Sequence, residues 1–285
     1  YGGFAAVLER KRITPAPRWG AGVGGEGSVS CSARSAHLKK DKGMESHHLE
    51  SIERLAAALR PDPSIRALII GGSLAKGWGS PESDIDCYLV LTPERFAAQR
   101  EAGQLQYFDN TNFCTYPGGY VDGKYIDEAW LRACADRGSE PARSSFLGAR
   151  VAFSSLPGLE DLVRQIAVYP AHKQRQNLQR FYAQFQAYTW YVGEARKRGN
   201  LYLLSHTVNG LLFFGSRMLL AHNQILYPYH KWLTKVLADA PEKPEGLLET
   251  MDECLSTRAP EPVQRYQAMI LGFADWPAPD VNWPS

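Results

Sequence analysis

Cysteine is scarce and scattered: five residues in 285, at Cys31, Cys87, Cys114, Cys134 and Cys254, with no pair at CxxC spacing. That excludes a zinc-ribbon pattern, and an odd number at wide spacing is no disulfide framework. Free thiols of this kind suit a reducing cytoplasm. The seven histidines, His47-His48 among them, show no metal-ligand spacing either. No apolar run reaches the roughly 18 residues of a membrane span. The nearest, residues 201–221, is interrupted by Ser205, His206, Asn209, Ser216 and Arg217. A dominant charge is also lacking. The formal net charge is +2, and it is unevenly spread: residues 1–43 carry eight Lys/Arg against Glu9, Glu26 and Asp41, leaving 24 Lys/Arg against 27 Asp/Glu in the rest. A mildly acidic body weighs against a protein that tracks along nucleic acid, whose footprint is basic.

What is present is an ordinary globular composition, 44% hydrophobic and 22% charged, in a chain long enough for two domains. Residues 1–43 stand apart. Eight glycines, scattered serines and no sustained periodicity predict a disordered leader, either upstream sequence or an expression-derived addition, with the natural start at Met44. The alternative for this basic segment is an arm that grips RNA.

The most informative stretch is residues 67–91, ALIIGGSLAKGWGSPESDIDCYLVL. It reads as a buried strand, a Gly71-Gly72-Ser73 bend, a loop, and a second strand carrying Asp84 and Asp86. Residues two apart on a strand point the same way, so the two carboxylates project together. Carboxylates that close repel each other unless a cation lies between them, and an oxygen-only ligand set suits Mg²⁺ with substrate phosphates. Glycines allow close backbone approach, and N–H groups entering a helix attract anions. One short segment therefore supplies a metal-binding pair and a phosphate cradle.

This arrangement resembles the nucleotidyltransferase superfamily that includes DNA polymerase beta and the aminoglycoside and lincosamide nucleotidyltransferases. Its signature is an apolar strand, Gly-Ser, about ten residues, and Asp-x-Asp between apolar residues. Here Gly72-Ser73 is followed by Leu74 to Ser83 and then Asp84-Ile85-Asp86. The resemblance implies a third carboxylate from a later strand. Asp122 is the choice; Asp127 competes on position but is better explained as the N-cap of a helix from Glu128. It also implies two Mg²⁺ ions on Asp84, Asp86 and Asp122, a triphosphate held by Gly72 and Ser73, and ATP or another NTP as co-substrate. Lys231 and Tyr229, at the start of a later helix, are further candidates for the triphosphate, by analogy with helical-domain residues of relatives rather than by motif. Lys76 is divided between phosphate binding and simple solvent exposure.

The remaining pattern is α+β: a small mixed-sheet nucleotidyltransferase domain over 44–168, then an all-α helical bundle over 169–285. Helices are expected at 45–59, from Thr92-Pro93-Glu94, at 128–135 and at 159–168. A strand pair is expected within 113–126 around Pro117-Gly118-Gly119, and a further strand at 148–154. Beyond Pro170 come long helices. Leu178, Phe181, Tyr182, Phe185, Tyr188 and Val192 form one stripe, and the helix from Leu201 is apolar nearly all round, so it belongs at the centre of the bundle. Arg217 and His222 have the R-x₄-H spacing of HEPN-type helical domains, some of them ribonucleases; the plain reading is two hydrogen-bonded residues at the core edge. Glu245, Glu249, Asp252 and Glu253 form an acidic run that would suit a cationic aminoglycoside, or simply a solvated helix face.

The expected function is transfer of a nucleoside monophosphate, AMP from ATP first, to a hydroxyl of a small-molecule acceptor, an antibiotic being implied by the resemblance alone. No membrane is involved. Adenylylation of a protein or RNA in a toxin–antitoxin or regulatory system is the competing reading, and a nucleotide-binding pseudoenzyme is a third.

Overall fold

The computed structural model describes residues 44–279. The reading of residues 1–43 as a leader lies outside them. Within the described residues α1 (Ser46–Leu59) precedes β1 (Ile65–Ile70). The bend leads into α2 (Gly72–Ala75), β2 (Ile85–Leu91) and α3 (Pro93–Glu101). Then come β3 (Gln106–Asp109), β4 (Val121–Asp127), α4 (Glu128–Arg137), α5 (Glu140–Ser144), β5 (Arg150–Ser154) and α6 (Leu159–Ile166). The five strands form one sheet in the order β3-β4-β2-β1-β5. Only β2 and β4 run parallel, which makes the sheet mixed as expected.

Local chemistry explains most of these elements. Thr92 accepts from Arg95 N–H at 3.4 Å with Pro93 at the first helical position. Asp127 accepts from Trp130 N–H at 2.7 Å and so caps α4. Leu68, Ile70, Ile85, Cys87 and Leu89 bury one sheet face with Ile52 and Leu55 of α1. Ala67, Ile69 and Val90 bury the other with Leu131, Val163 and Ile166. Between β2 and β4 the packing is close: a Cβ added at Gly123 would lie 2.8 Å from Cys87 Sγ.

One expectation needs correction, and one element was not expected at all. The first strand of the expected pair lies at Gln106–Asp109, not near Thr115. Asp109 accepts from the N–H groups of Thr111 and Asn112, turning the chain away from the sheet, and Thr115 N–H is claimed instead by Ser51 Oγ of α1 at 3.1 Å. The unexpected element is α5, which no periodicity announced. Ser139 caps it, and its buried Arg143 donates to the carbonyls of Ala135, Gly138, Ile166 and Val168, satisfying the ends of α4 and α6.

The helical portion consists of α7 (Gln174–Lys197), α8 (Leu201–His222), α9 (Leu233–Ala238), α10 (Leu247–Thr257) and α11 (Pro260–Leu271). α8 packs on all four others, the central place its apolar surface demanded. Among the described residues no helix is long and apolar enough to cross a membrane. Tyr266 is fully buried against α8 with its hydroxyl donating to Leu212 O at 2.9 Å. A Cβ at Gly215 would lie 2.5 Å from that hydroxyl oxygen. Gly215→Ala is therefore expected to destabilise the protein by about 1–3 kcal/mol through overpacking, measured as a lower urea midpoint; an unchanged midpoint would remove this account of the α8–α11 contact. The R-x₄-H pair is absorbed into structure: Arg217 is ion-paired with Glu140, and His222 meets Glu242.

Candidate active site

Parallel pairing of β2 and β4 sets Asp86 directly beside Asp122 in register, and register partners project to the same face of a sheet. Asp84 lies one residue before β2, where Ile85 N–H donates to Tyr120 O at 3.0 Å. Burial and the nearby Asp84 carboxylate raise the Tyr120 hydroxyl pKa. The acids act on one another. Burial, then Asp84 and Asp122, push the Asp86 carboxyl up to about 6, while Lys76 and Lys231 pull it the other way. Asp122, on the open side, is raised by partial desolvation and by Asp84, and Lys124 lowers it.

The glycine bend reaches these acids from the β1 side. Gly71 N–H donates to Asp86 O at 2.9 Å, which extends the row from β2 to the end of β1. At Gly72 φ is +67°, and a Cβ would fall 1.8 Å from Asp86 Oδ2. Only glycine fits there, both for the backbone and for the carboxylate pressed against it. Ser73 follows, half-buried in α2. The first N–H groups of a helical turn have no intrahelical partner and are left for an anion. Lys76 closes the turn; burial lowers its pKa and Asp86 raises it.

Lys231 comes to the same place from the helical portion, its charge acting on Asp86. Around it is a cluster that sequence reasoning did not assemble. Trp232 packs on Trp78 with centroids 5.1 Å apart. Lys76 and Lys235 lie 5.5 and 5.6 Å from the Trp78 ring centre, and Lys231 lies 5.3 Å from that of Trp232. Lys76 and Lys231 thus bring positive charge to Asp86, while Lys235 is ion-paired with Asp239 at 3.0 Å. No motif links these residues along the chain; the only signal was the recurrence of Lys beside Trp at 76–78 and 231–232.

Tyr229 is placed differently. Its ring lies against Tyr227 and His230, it is largely exposed, and it has φ +75° and ψ 172°, a backbone region costly for any side chain. None of these contacts joins it to the carboxylates. Among the described residues no three His, Cys, Asp or Glu side chains are gathered as a formed metal site.

No family model matches the chain, and no curated protein matches it. Among solved structures it is similar to a nucleotidyltransferase-like protein from Exiguobacterium sibiricum 255-15, with 14% identity, 78% of this chain and 72% of that chain covered, and a TM-score of 0.43. A likeness that slight assigns no activity; the side chains must.

Proposed function

We propose that this chain is a nucleotidyltransferase that moves a nucleoside monophosphate, AMP from ATP in the first instance, onto a hydroxyl of a small-molecule acceptor in the cytoplasm. The observation that carries the reading is the row in which Asp122, Asp86 and the glycine bend stand side by side, with lysines beyond the bend. In the reaction the acceptor oxygen bonds to the α-phosphorus. The bond from that phosphorus to the bridging oxygen breaks, and pyrophosphate leaves with its electron pair. The hydroxyl proton passes to a carboxylate, and Asp122 is the exposed one with a raised pKa. Backbone N–H groups of Gly72 and Ser73, with Lys76 and Lys231, hold the β- and γ-phosphates and neutralise their charge.

The donor set is all oxygen, and Asp86 is a carboxyl that its neighbours and burial already disfavour as an anion, so a divalent cation fits it. Mg²⁺, two ions by the resemblance, would be held by Asp84, Asp86 and Asp122, and when bound supplies charge neutralisation at the phosphates and a lower pKa for the hydroxyl.

The test is release of pyrophosphate from ATP with Mg²⁺ across a panel of antibiotics and hydroxylated metabolites, followed by mass spectrometry. A small molecule heavier by AMP is the expected result. A modified protein or RNA supports the competing macromolecular reading, and no release with any acceptor counts against transfer. Lys231→Ala should raise KM for ATP about tenfold, the effect of losing one charge-assisted phosphate contact, while kcat stays within about threefold. An unchanged KM would remove Lys231 from the triphosphate seat.

A further inference from the structure

The row of acids continues past Asp122. β3 pairs antiparallel with β4 so that Phe108 lies opposite Asp122, and Phe108 is 59% exposed. Phe108, Asp122 and Asp86 therefore stand on one face, with Gly71 at the far end. At about 4.8 Å per strand the ring and the glycine bend are about 14 Å apart, with the acids between them. Tyr120 widens the aromatic side: its ring centroid is 5.6 Å from that of Phe108. Phe108 and Tyr120 together form a small aromatic patch at the edge of the sheet, directly beside Asp122.

The location follows from the proposed nucleotidyl transfer, on which this inference rests. Attacking and leaving oxygens lie roughly in line across the transferred phosphorus. Pyrophosphate leaves toward the bend and its lysines, so the hydroxyl enters from the β3 side. We propose that Phe108 and Tyr120 form the acceptor seat, and that it takes a hydroxyl compound whose body is a flat, largely uncharged ring. Stacking on the exposed Phe108 ring and its half-buried neighbour Tyr120 selects such a body. Exposed Lys124 occupies the next outward position of β4 and disfavours polycations at this edge.

The probes are 4-nitrophenyl β-glucoside and methyl β-glucoside, which share their sugar hydroxyls and differ in the ring. Saturation-transfer NMR is recorded on the full chain with Mg²⁺ and a non-hydrolysable ATP analogue. The nitrophenyl compound should give about fivefold more transfer than the methyl compound, in line with one stacking contact. Phe108→Ala should abolish that excess while leaving affinity for the ATP analogue within about twofold. Tyr120→Phe, which keeps the ring, should retain it. Equal transfer from the two probes, or an excess that survives Phe108→Ala, overturns the seat. Displacement by the ATP analogue also overturns it, because the rings would then hold the nucleobase. Should the analogue itself not bind in the presence of Mg²⁺, the nucleotidyl-transfer reading fails, and the seat with it; binding of the analogue without the nitrophenyl preference sinks the seat alone.

Discussion

Replacing Asp86 by asparagine is expected to lower turnover by about 10³-fold or more and, in the same protein, to raise the melting temperature when metal is absent. The loss of rate follows from its place: Asp86 is the middle member of the carboxylate row and touches the bend, and removing a principal electrostatic contact in a closed site costs about 10²–10³ even for a neutral donor. The gain in stability follows from its pKa. The carboxyl is held at about 6 by burial, Asp84 and Asp122, with Lys76 and Lys231 opposing, against 3.8 for the ordinary group. A carboxyl raised on folding binds more protons in the native state. Its cost is absent below the unfolded pKa, grows between about pH 4 and 6, and is complete above that range. Two units correspond to at most about 3 kcal/mol, and solvent screening of a partly exposed group reduces this to about 1–2. For a chain of this size that is about 2–8 °C. The stabilisation should appear at pH 8 in EDTA and vanish near pH 4. Mg²⁺ should raise the melting temperature of the native protein but not that of Asp86→Asn. A variant that kept a tenth of the native rate, or melted lower than the native protein in EDTA at pH 8, would contradict the role given to this residue.

The largest effect on folding is expected at Arg217. It lies in α8 with its side chain only 13% exposed, and its Nη2 donates to Glu140 Oε1 of α5 at 2.8 Å. The guanidinium carbon is 4.2 Å from the Phe181 ring centre and 4.5 Å from that of Tyr227. The other Glu140 oxygen accepts from Tyr227 N–H at 3.0 Å. Arg217→Ala strands a buried carboxylate and should cost about 3–5 kcal/mol. Combining Arg217→Met with Glu140→Gln removes both charges, fills the space between the rings and keeps an acceptor for Tyr227, so most of the loss should return. Urea unfolding of the two singles and the double measures the coupling; independent, additive losses would show that the pair is not the joint between sheet and helices. A functional effect should accompany it. Tyr227 is four residues from Lys231, so loosening this joint should also weaken ATP binding.

What the sequence disclosed was mostly local. β1, β2 and the caps at Thr92 and Asp127 depend on neighbours in the chain, whereas Asp84, expected within the second strand, lies one residue before it. The site's other half depends on pairing between distant segments. That Asp122 lies opposite Asp86, and Phe108 opposite Asp122, is a matter of register across β2, β4 and β3, which no single segment encodes. Trp78 and Trp232 belong to segments far apart in the chain, and only the tertiary fold brings them together. β3 was misplaced because Tyr-Pro-Gly-Gly looked like a hairpin tip, whereas Thr115 was already bound to α1.

The spacing of the acids is governed from behind. Gly123 and Cys87 are register partners, as Asp122 and Asp86 are, but they occupy the reverse surface of the same two strands. With so little room between the glycine and the sulfur, even a methyl group there would act as a wedge, prying β4 from β2 and parting the carboxylates that ride on their outer side. A change invisible from the substrate's position would thus mimic damage to the chemistry, and the tolerance of that hidden glycine to substitution sets how far the outward-facing pair can drift.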